Sequence, residues 1–152
     1  MTKTLTFKNS ELSVVGNFLG TLSLKNKASR GRTKLIKLIS AKNDEYNEDR
    51  KETLEPFIKK DEAGNNVEGD TPGSVVLIEE KQDEANTAIK EIDEERAVIE
   101  FTEYSEKMKA LYDAIADYPT EFSNQDAAAY DLLMDQLESA FENEKDGENN
   151  EY

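Results

Sequence analysis

The sequence of 152 residues contains neither cysteine nor histidine. Their absence excludes disulfide bonds, thiolate nucleophiles, Ser-His-Asp triads and the usual zinc, iron–sulfur and histidine–carboxylate iron sites. Small extracellular domains often depend on disulfide bonds, so we expect a reducing compartment or a virion. Long apolar runs are also absent: the longest, Val75–Ile78, is far shorter than the about 20 residues that a membrane-spanning helix needs.

Proline and glycine are scarce as well, with three and seven residues, which argues against a turn-rich all-β fold. Apolar residues make up 36% of the chain, below the usual proportion of about 45–50%. Such a chain can bury only a thin core, which elongated helices tolerate. We therefore predict a mainly α fold with a minor β part, consisting of a long antiparallel helical hairpin, shorter helices and two or three short strands.

The first part of the chain shows an alternating pattern followed by helical periodicity. Thr4–Phe7 predicts a short strand, and the 3-4-3 spacing of apolar residues predicts a helix over Glu11–Leu24. Gly16 and Gly20, four residues apart, suggest close packing against another helix. The pattern indicates a polar break at 25–31 and then a longer helix over 33–55, which ends before Pro56.

The middle of the chain predicts the return arm of a hairpin. Lys60–Ser74 is rich in turn-forming residues, and the pattern becomes helical again over Glu79–Glu95. The heptad spacing of Ile78, Ala85, Ile92 and Ile99 predicts a coiled-coil-like seam, antiparallel to the preceding helix, with Gln82, Ile89 and Arg96 at the partner position. We expect this hairpin, about residues 33–95, to project from the rest of the protein.

The last third predicts a strand over Ala97–Thr102 and a helix over Tyr104–Ala116. Ser123–Asp126 is a capping signal for a final helix, whose apolar stripe continues to Phe141. Residues 142–152 are acidic and predict a flexible tail. Residues 1–141 are expected to form a single domain that includes the projecting hairpin.

Charge is strongly segregated along the chain. Residues 1–42 contain nine basic residues and one acidic residue, a net charge of +8, whereas the remainder carries −23. We predict that a basic stretch at the start of the second helix contacts partners, and it consists of seven residues: Lys25, Lys27, Arg30, Arg32, Lys34, Lys37 and Lys42. Pairing with acidic groups of the same chain or of another subunit is the favoured role, ahead of an acidic partner protein and of nucleic acid.

The third helix predicts an acidic face, made up of Glu79, Glu80, Asp83, Glu84, Glu91 and Glu94. A helical rod dense in carboxylates can imitate the phosphate spacing of DNA. This composition therefore supports an alternative function, in which the protein occupies the nucleic-acid-binding surface of a host defence protein.

Catalytic chemistry has only weak support in this sequence. The pairs Glu45/Glu48 and Glu80/Asp83 have the E-x-x-E and E-x-x-D spacing with which all-α nucleotide pyrophosphohydrolases hold Mg²⁺. With 34 acidic residues in the chain, such pairs arise readily by chance. The loop beginning at Asp61 lacks the ligand positions of a calcium loop, and no phosphate-binding glycine motif is present. We therefore predict a non-enzymatic protein without a cofactor or a catalytic metal.

The order of these features resembles a family of small uncharacterised proteins encoded by tailed phages and prophages of Gram-positive bacteria. The resemblance rests on five short segments: Leu5–Leu12, Lys34–Lys37, Tyr46–Arg50, Lys60–Asn65 and Ile99–Phe101. It implies phage origin, and genes of this kind tend to lie near tail and lysis genes. An accessory role through protein–protein contacts, in virion or tail morphogenesis, is therefore the expected function, with the host cytoplasm or the virion as the location. The partner would be a phage structural protein, a host protein or another copy of the chain.

Overall fold

A computed structural model describes the backbone of residues 2–149 and the side chains of residues 2–142. The chain divides into two compact units. The first, here called the core unit, comprises residues 1–43 and 96–152. The second, the hairpin unit, comprises residues 44–95. The predicted hairpin of about residues 33–95 thus shares most of its length with the hairpin unit, and its projection stays a prediction.

A two-stranded antiparallel sheet joins the two chain segments of the core unit. Strand β1 (Thr4–Lys8) pairs with strand β2 (Arg96–Glu100) in a register that places Thr6 opposite Val98. Side chains alternate across the sheet, so the even positions of β1 and of β2 face away from the core and Val98 remains 50% exposed. Both strands were predicted from their alternation and their β-branched residues, and the structure confirms them.

Four helical segments share one hydrophobic core with the buried face of this sheet. They are α1 (Leu12–Thr21), the first part of α2 (Asn26–Leu54), α4 (Ser105–Ala116) and α5 (Asn124–Asn149). Each contributes an apolar stripe at helical spacing to one core. The largest fully buried side chains of this core are Leu5, Phe7, Leu12, Phe18, Leu19, Leu35, Ile99, Phe101, Met108, Leu111, Ile115 and Leu133. The mainly α fold with a minor β part is confirmed.

Helix α2 begins at Asn26, seven residues before the predicted start, so the expected polar break at 25–31 was wrong. Gly31 explains the difference, because a Cβ there would lie only 2.3 Å from the Lys107 carbonyl oxygen of α4. The glycine weakens helix propensity but permits close contact between the two backbones. Gly16 of α1 does face α2, with a Cβ position 3.4 Å from Ile39, whereas Gly20 faces open space.

Two helix ends also differ from their predicted positions. Helix α1 ends at Thr21 rather than at Leu24, and a 3₁₀ turn at Asn9–Glu11 precedes it. Helix α5 starts within the predicted capping segment but continues to Asn149, beyond the predicted end of the apolar stripe at Phe141. The flexibility of residues 142–152 stays a prediction, and residues 150–152 lie outside the described residues.

The hairpin unit contains the second part of α2, an irregular loop and helix α3 (Gln82–Glu94). A 3₁₀ turn containing Pro56 ends α2, as predicted. The Ile78 N–H donates to the Phe57 carbonyl oxygen at 2.8 Å, while Tyr46, early in this part of α2, donates its hydroxyl to Asp93 near the end of α3. The two helices are therefore antiparallel neighbours, as the hairpin prediction required.

The seam predicted for α3 is short. Ala85 and Ile92 are buried, but Ile78 lies in extended backbone ahead of the helix. Ile99, the next residue in the heptad pattern, belongs to β2 and to the core of the core unit. Only two positions of the predicted coiled-coil seam therefore serve as buried helix positions in the hairpin unit.

Candidate interaction surfaces

Six of the seven residues in the predicted basic stretch lie on α2, within the core unit, and Lys25 immediately precedes the helix. Four of them recur at 3-4-3 spacing and so share one helix face. We call this face the basic stripe, and it consists of Lys27, Arg30, Lys34 and Lys37. It lies beside the buried row formed by Ala28, Gly31, Leu35 and Ile39.

The basic stripe is largely free of acidic partners. In the part of the chain whose side chains are described, no ion pair involves Lys25, Lys27, Arg30 or Lys37, and all four are exposed. Among the described side chains, the predicted pairing within the chain therefore does not include these four cations. Pairing with another subunit stays a prediction.

Arg32 is engaged within the core unit. Arg32 donates one guanidinium nitrogen to the Leu22 carbonyl oxygen and the other to Ser29 Oγ, at 3.3 Å. Arg32 therefore fixes the turn between α1 and α2, because it satisfies a carbonyl just beyond the end of α1. Lys42 also has a partner.

Lys34 contacts an aromatic ring instead of a carboxylate. Its Nζ lies 5.3 Å from the centre of the Tyr104 ring, and Lys107 approaches the same ring at 5.8 Å. Both distances are typical of cation–π contacts. The Glu103 carboxylate, followed by burial, raises the pKa of the Tyr104 phenol, so this ring stays neutral near pH 7.

The six residues of the predicted acidic face lie on α3 and on the 3₁₀ turn before it (Glu79–Lys81), in the hairpin unit. All six are exposed, and none of them takes part in an ion pair between described side chains. Asp93, on another side of the helix, accepts the Tyr46 hydroxyl and lies 3.6 Å from Arg50 Nε. The acidic face thus remains available to a partner.

Charge differs sharply between the two units. The hairpin unit has 18 acidic and six basic residues, a net charge of −12. The core unit has 16 acidic and 13 basic residues, a net charge of −3. The segregation observed along the sequence therefore persists in the fold, but as a strongly acidic unit and a nearly neutral one.

The structure does not gather the acidic pairs considered for Mg²⁺ into a metal site. Glu45, Glu48, Glu80 and Asp83 are all exposed, and no group of three or more acidic side chains within the described residues could hold a metal ion. The Asp61 carboxylate accepts hydrogen bonds from the N–H groups of Ala63 and Asn65, at 2.9 and 3.0 Å. Turn formation accounts for this loop.

The core unit also carries an open pocket of about 500 Å³ that the sequence patterns did not predict, lined by Tyr118, Thr120, Glu121, Phe122, Ala127, Tyr130 and Asp131. The centre of the Phe122 ring lies 5.3 Å from that of the Tyr118 ring and 5.0 Å from that of the Tyr130 ring. We call this pocket the aromatic pocket. The aromatic residues at 118, 122 and 130 are four and eight residues apart, and this spacing was the only signal in the sequence.

Comparison with known proteins adds the family alone. Over the described residues, no helix is both long and apolar enough to cross a membrane. No curated protein and no solved structure matches the chain. A family model described as "Protein of unknown function (DUF1617)" matches residues 3–148, which include both units almost completely. The chain therefore belongs to the DUF1617 family of proteins of unknown function.

Proposed function

We propose that this protein is a non-enzymatic phage accessory protein that acts through protein–protein contacts, in virion or tail morphogenesis. One observation carries the proposal: the acidic face and three residues of the basic stripe, Lys27, Arg30 and Lys37, are exposed and lack ion-pair partners in the described part of the chain. The resemblance to phage and prophage proteins supplies the biological setting, which includes the host cytoplasm and the virion.

Surface charges without an ion-pair partner contribute more to the recognition of a binding partner than to the stability of the fold. A solvent-exposed ion pair contributes only about 0–1 kcal/mol, so leaving these groups unpaired costs the fold little. Complementary charges raise association rates and select among partners. The basic stripe suits an acidic protein surface, and the acidic face suits a basic one.

Affinity purification from phage-infected host cells tests the proposal. The bait is the full chain, and we expect it to recover phage structural proteins or intermediates of assembly. The double variant Arg30→Glu/Lys37→Glu reverses two exposed charges of the basic stripe and should reduce recovery at least about tenfold, if each lost pair contributes about 1 kcal/mol. Absence of the protein from virions and from assembly intermediates would contradict the proposal.

A matched control separates the stripe from total charge. Lys51→Glu/Lys81→Glu changes the net charge by the same amount at two exposed lysines of the hairpin unit. Partner recovery should remain close to that of the wild type. Equal losses with both double variants would indicate that total charge, and not the basic stripe, controls binding.

The acidic face supports a second candidate, an inhibitor that imitates DNA. Its six exposed carboxylates belong to a unit with a net charge of −12. Such an inhibitor should bind a basic host defence protein with a strong salt dependence, and DNA should compete with it. In the purification described above, a nucleic-acid-binding host enzyme that DNA elutes would favour this candidate over a role in assembly.

A further inference from the structure

The lining of the aromatic pocket combines three aromatic side chains with two carboxylates. Tyr118, Phe122 and Tyr130 supply the aromatic surface, and Phe18 supports it from below at 5.0 Å from Phe122. Aromatic ring faces attract cations through their quadrupole, and they also pack against the apolar stem of a lysine or arginine. The aromatic lining therefore suits a long cationic side chain.

Two carboxylates give the pocket the matching charge. Glu121 and Asp131 both line it, both are exposed, and neither has an ion-pair partner among the described side chains. A cation that enters the pocket would therefore gain two charge contacts in addition to the ring faces. A neutral apolar ligand would leave both carboxylates without a partner.

A suitable cation lies close to the pocket on the same unit. The Ser23 N–H donates to the Tyr118 hydroxyl at 2.8 Å, which fixes the turn before α2 against the pocket wall. Lys25 and Lys27 follow within four residues, and both are exposed and without an ion-pair partner in the described structure. The two lysines and the aromatic pocket thus belong to one surface patch, and an isologous twofold contact uses the same patch on both copies.

The charge balance favours the same contact. Two copies of a chain with a net charge of −15 repel each other, but the core unit contributes only −3 of that total. A contact between core units therefore meets the least repulsion. It also brings one lysine of each copy to the two pocket carboxylates of the other copy, groups that have no ion-pair partner among the described side chains.

We propose that the aromatic pocket binds a lysine of a second copy of this chain, Lys25 or Lys27, so that two core units form a twofold-symmetric dimer. This inference rests on the proposed function only in being a protein–protein contact. The dimer can be absent although the full chain still recovers phage or host partners. It can also form although no such partner is recovered.

Sedimentation velocity of the purified full chain tests the dimer. The mass should rise from 17.2 kDa toward twice that value as protein concentration increases at low salt, and less so at high salt, where the Debye length falls from about 10 Å to about 3 Å. Lys25→Glu/Lys27→Glu and Glu121→Lys/Asp131→Lys should each weaken association at least tenfold. Mixing the two variants should restore a heterodimer, because the reversed charges are again complementary.

Control variants make the result specific to the pocket. Lys81→Glu/Lys90→Glu and Glu79→Lys/Glu80→Lys carry the same charge changes on the hairpin unit and should associate like the wild type. Circular dichroism checks that every variant remains helical. A wild-type chain that stays at 17.2 kDa overturns the proposal, as does a dimer that both pocket variants leave intact. Recovery of a foreign partner that depends on Tyr130, with a monomeric wild type, would assign the pocket to that partner and would also overturn the dimer.

Discussion

Replacing Gly31 with alanine should lower the free energy of unfolding by about 2 kcal/mol. The added Cβ would lie 2.3 Å from the Lys107 carbonyl oxygen and 2.9 Å from its carbonyl carbon. Both atoms belong to the backbone of α4, so no side-chain rotation relieves the overlap. Overpacking costs about 1–3 kcal/mol, and a backbone obstacle places this site near the upper value. Alanine regains about 1 kcal/mol of helix propensity, which leaves the stated loss.

Urea denaturation followed by far-ultraviolet circular dichroism measures this effect. For an m-value of about 2 kcal/mol/M, the expected loss lowers the unfolding midpoint by about 1 M. Gly20→Ala is the matched control, since Gly20 is an exposed helical glycine whose Cβ position has no neighbour within 4 Å. There, the gain in helix propensity should be unopposed, and the midpoint should stay the same or rise.

The comparison of the two variants decides the matter. If Gly31→Ala unfolds at the wild-type urea concentration or above it, α2 and α4 do not need a glycine at their contact, and the explanation given for the early start of α2 is refuted. If Gly20→Ala is as unstable as Gly31→Ala, the loss is a general property of helical glycines in this chain, and it carries no information about the contact.

Two further predictions concern single side chains. Burial first, and then the hydrogen bond to Glu142, raise the pKa of Tyr112 to about 12. Because the folded pKa lies above the ordinary value of 10.0, this stabilisation is complete below pH 10 and is lost as the pH rises toward 12. Tyr112→Phe should therefore remove the highest-pH step from a tyrosinate absorbance titration; an unchanged titration would contradict it. Arg32→Leu leaves the Leu22 carbonyl without its donor and should cost about 1–3 kcal/mol in urea denaturation, while the exposed Arg30→Leu should cost less than about 0.5 kcal/mol.

Local sequence patterns were sufficient to predict an element wherever its buried residues recur with the period of a strand or of a helix. Alternation in Thr4–Phe7 identified β1, and the stripe ending at Phe141 identified the buried face of α5. The turn-forming residues after Pro56 predicted the hairpin, because they separate two helical patterns. These elements required no knowledge of which neighbour covers them.

Local sequence patterns failed to predict a segment's structure where that structure depends on contact with a part of the chain distant in the sequence. The segment from Asn26 to Gly31 is polar and contains a glycine, so its own propensity argues against a helix. The contact with the Lys107 carbonyl lies 76 positions away in the sequence, and no local period encodes it. The aromatic pocket was missed for the same reason, since Pro119 interrupts the helical spacing between Tyr118 and Phe122 and only the fold brings Tyr130 to them.

The distribution of charge over the two units argues against nucleic acid as the partner of the basic stretch. Affinity for a phosphate backbone grows with the number of phosphates that cations neutralise. Of the seven residues in the stretch, Arg32 binds a carbonyl, Lys34 lies against a ring and Lys42 already has a partner, which leaves four exposed cations. These four belong to a unit whose net charge is −3, so its field does not draw in a polyanion. A small acidic surface, such as the one formed by Glu121 and Asp131 in a second copy, matches so few cations better than a nucleic acid does.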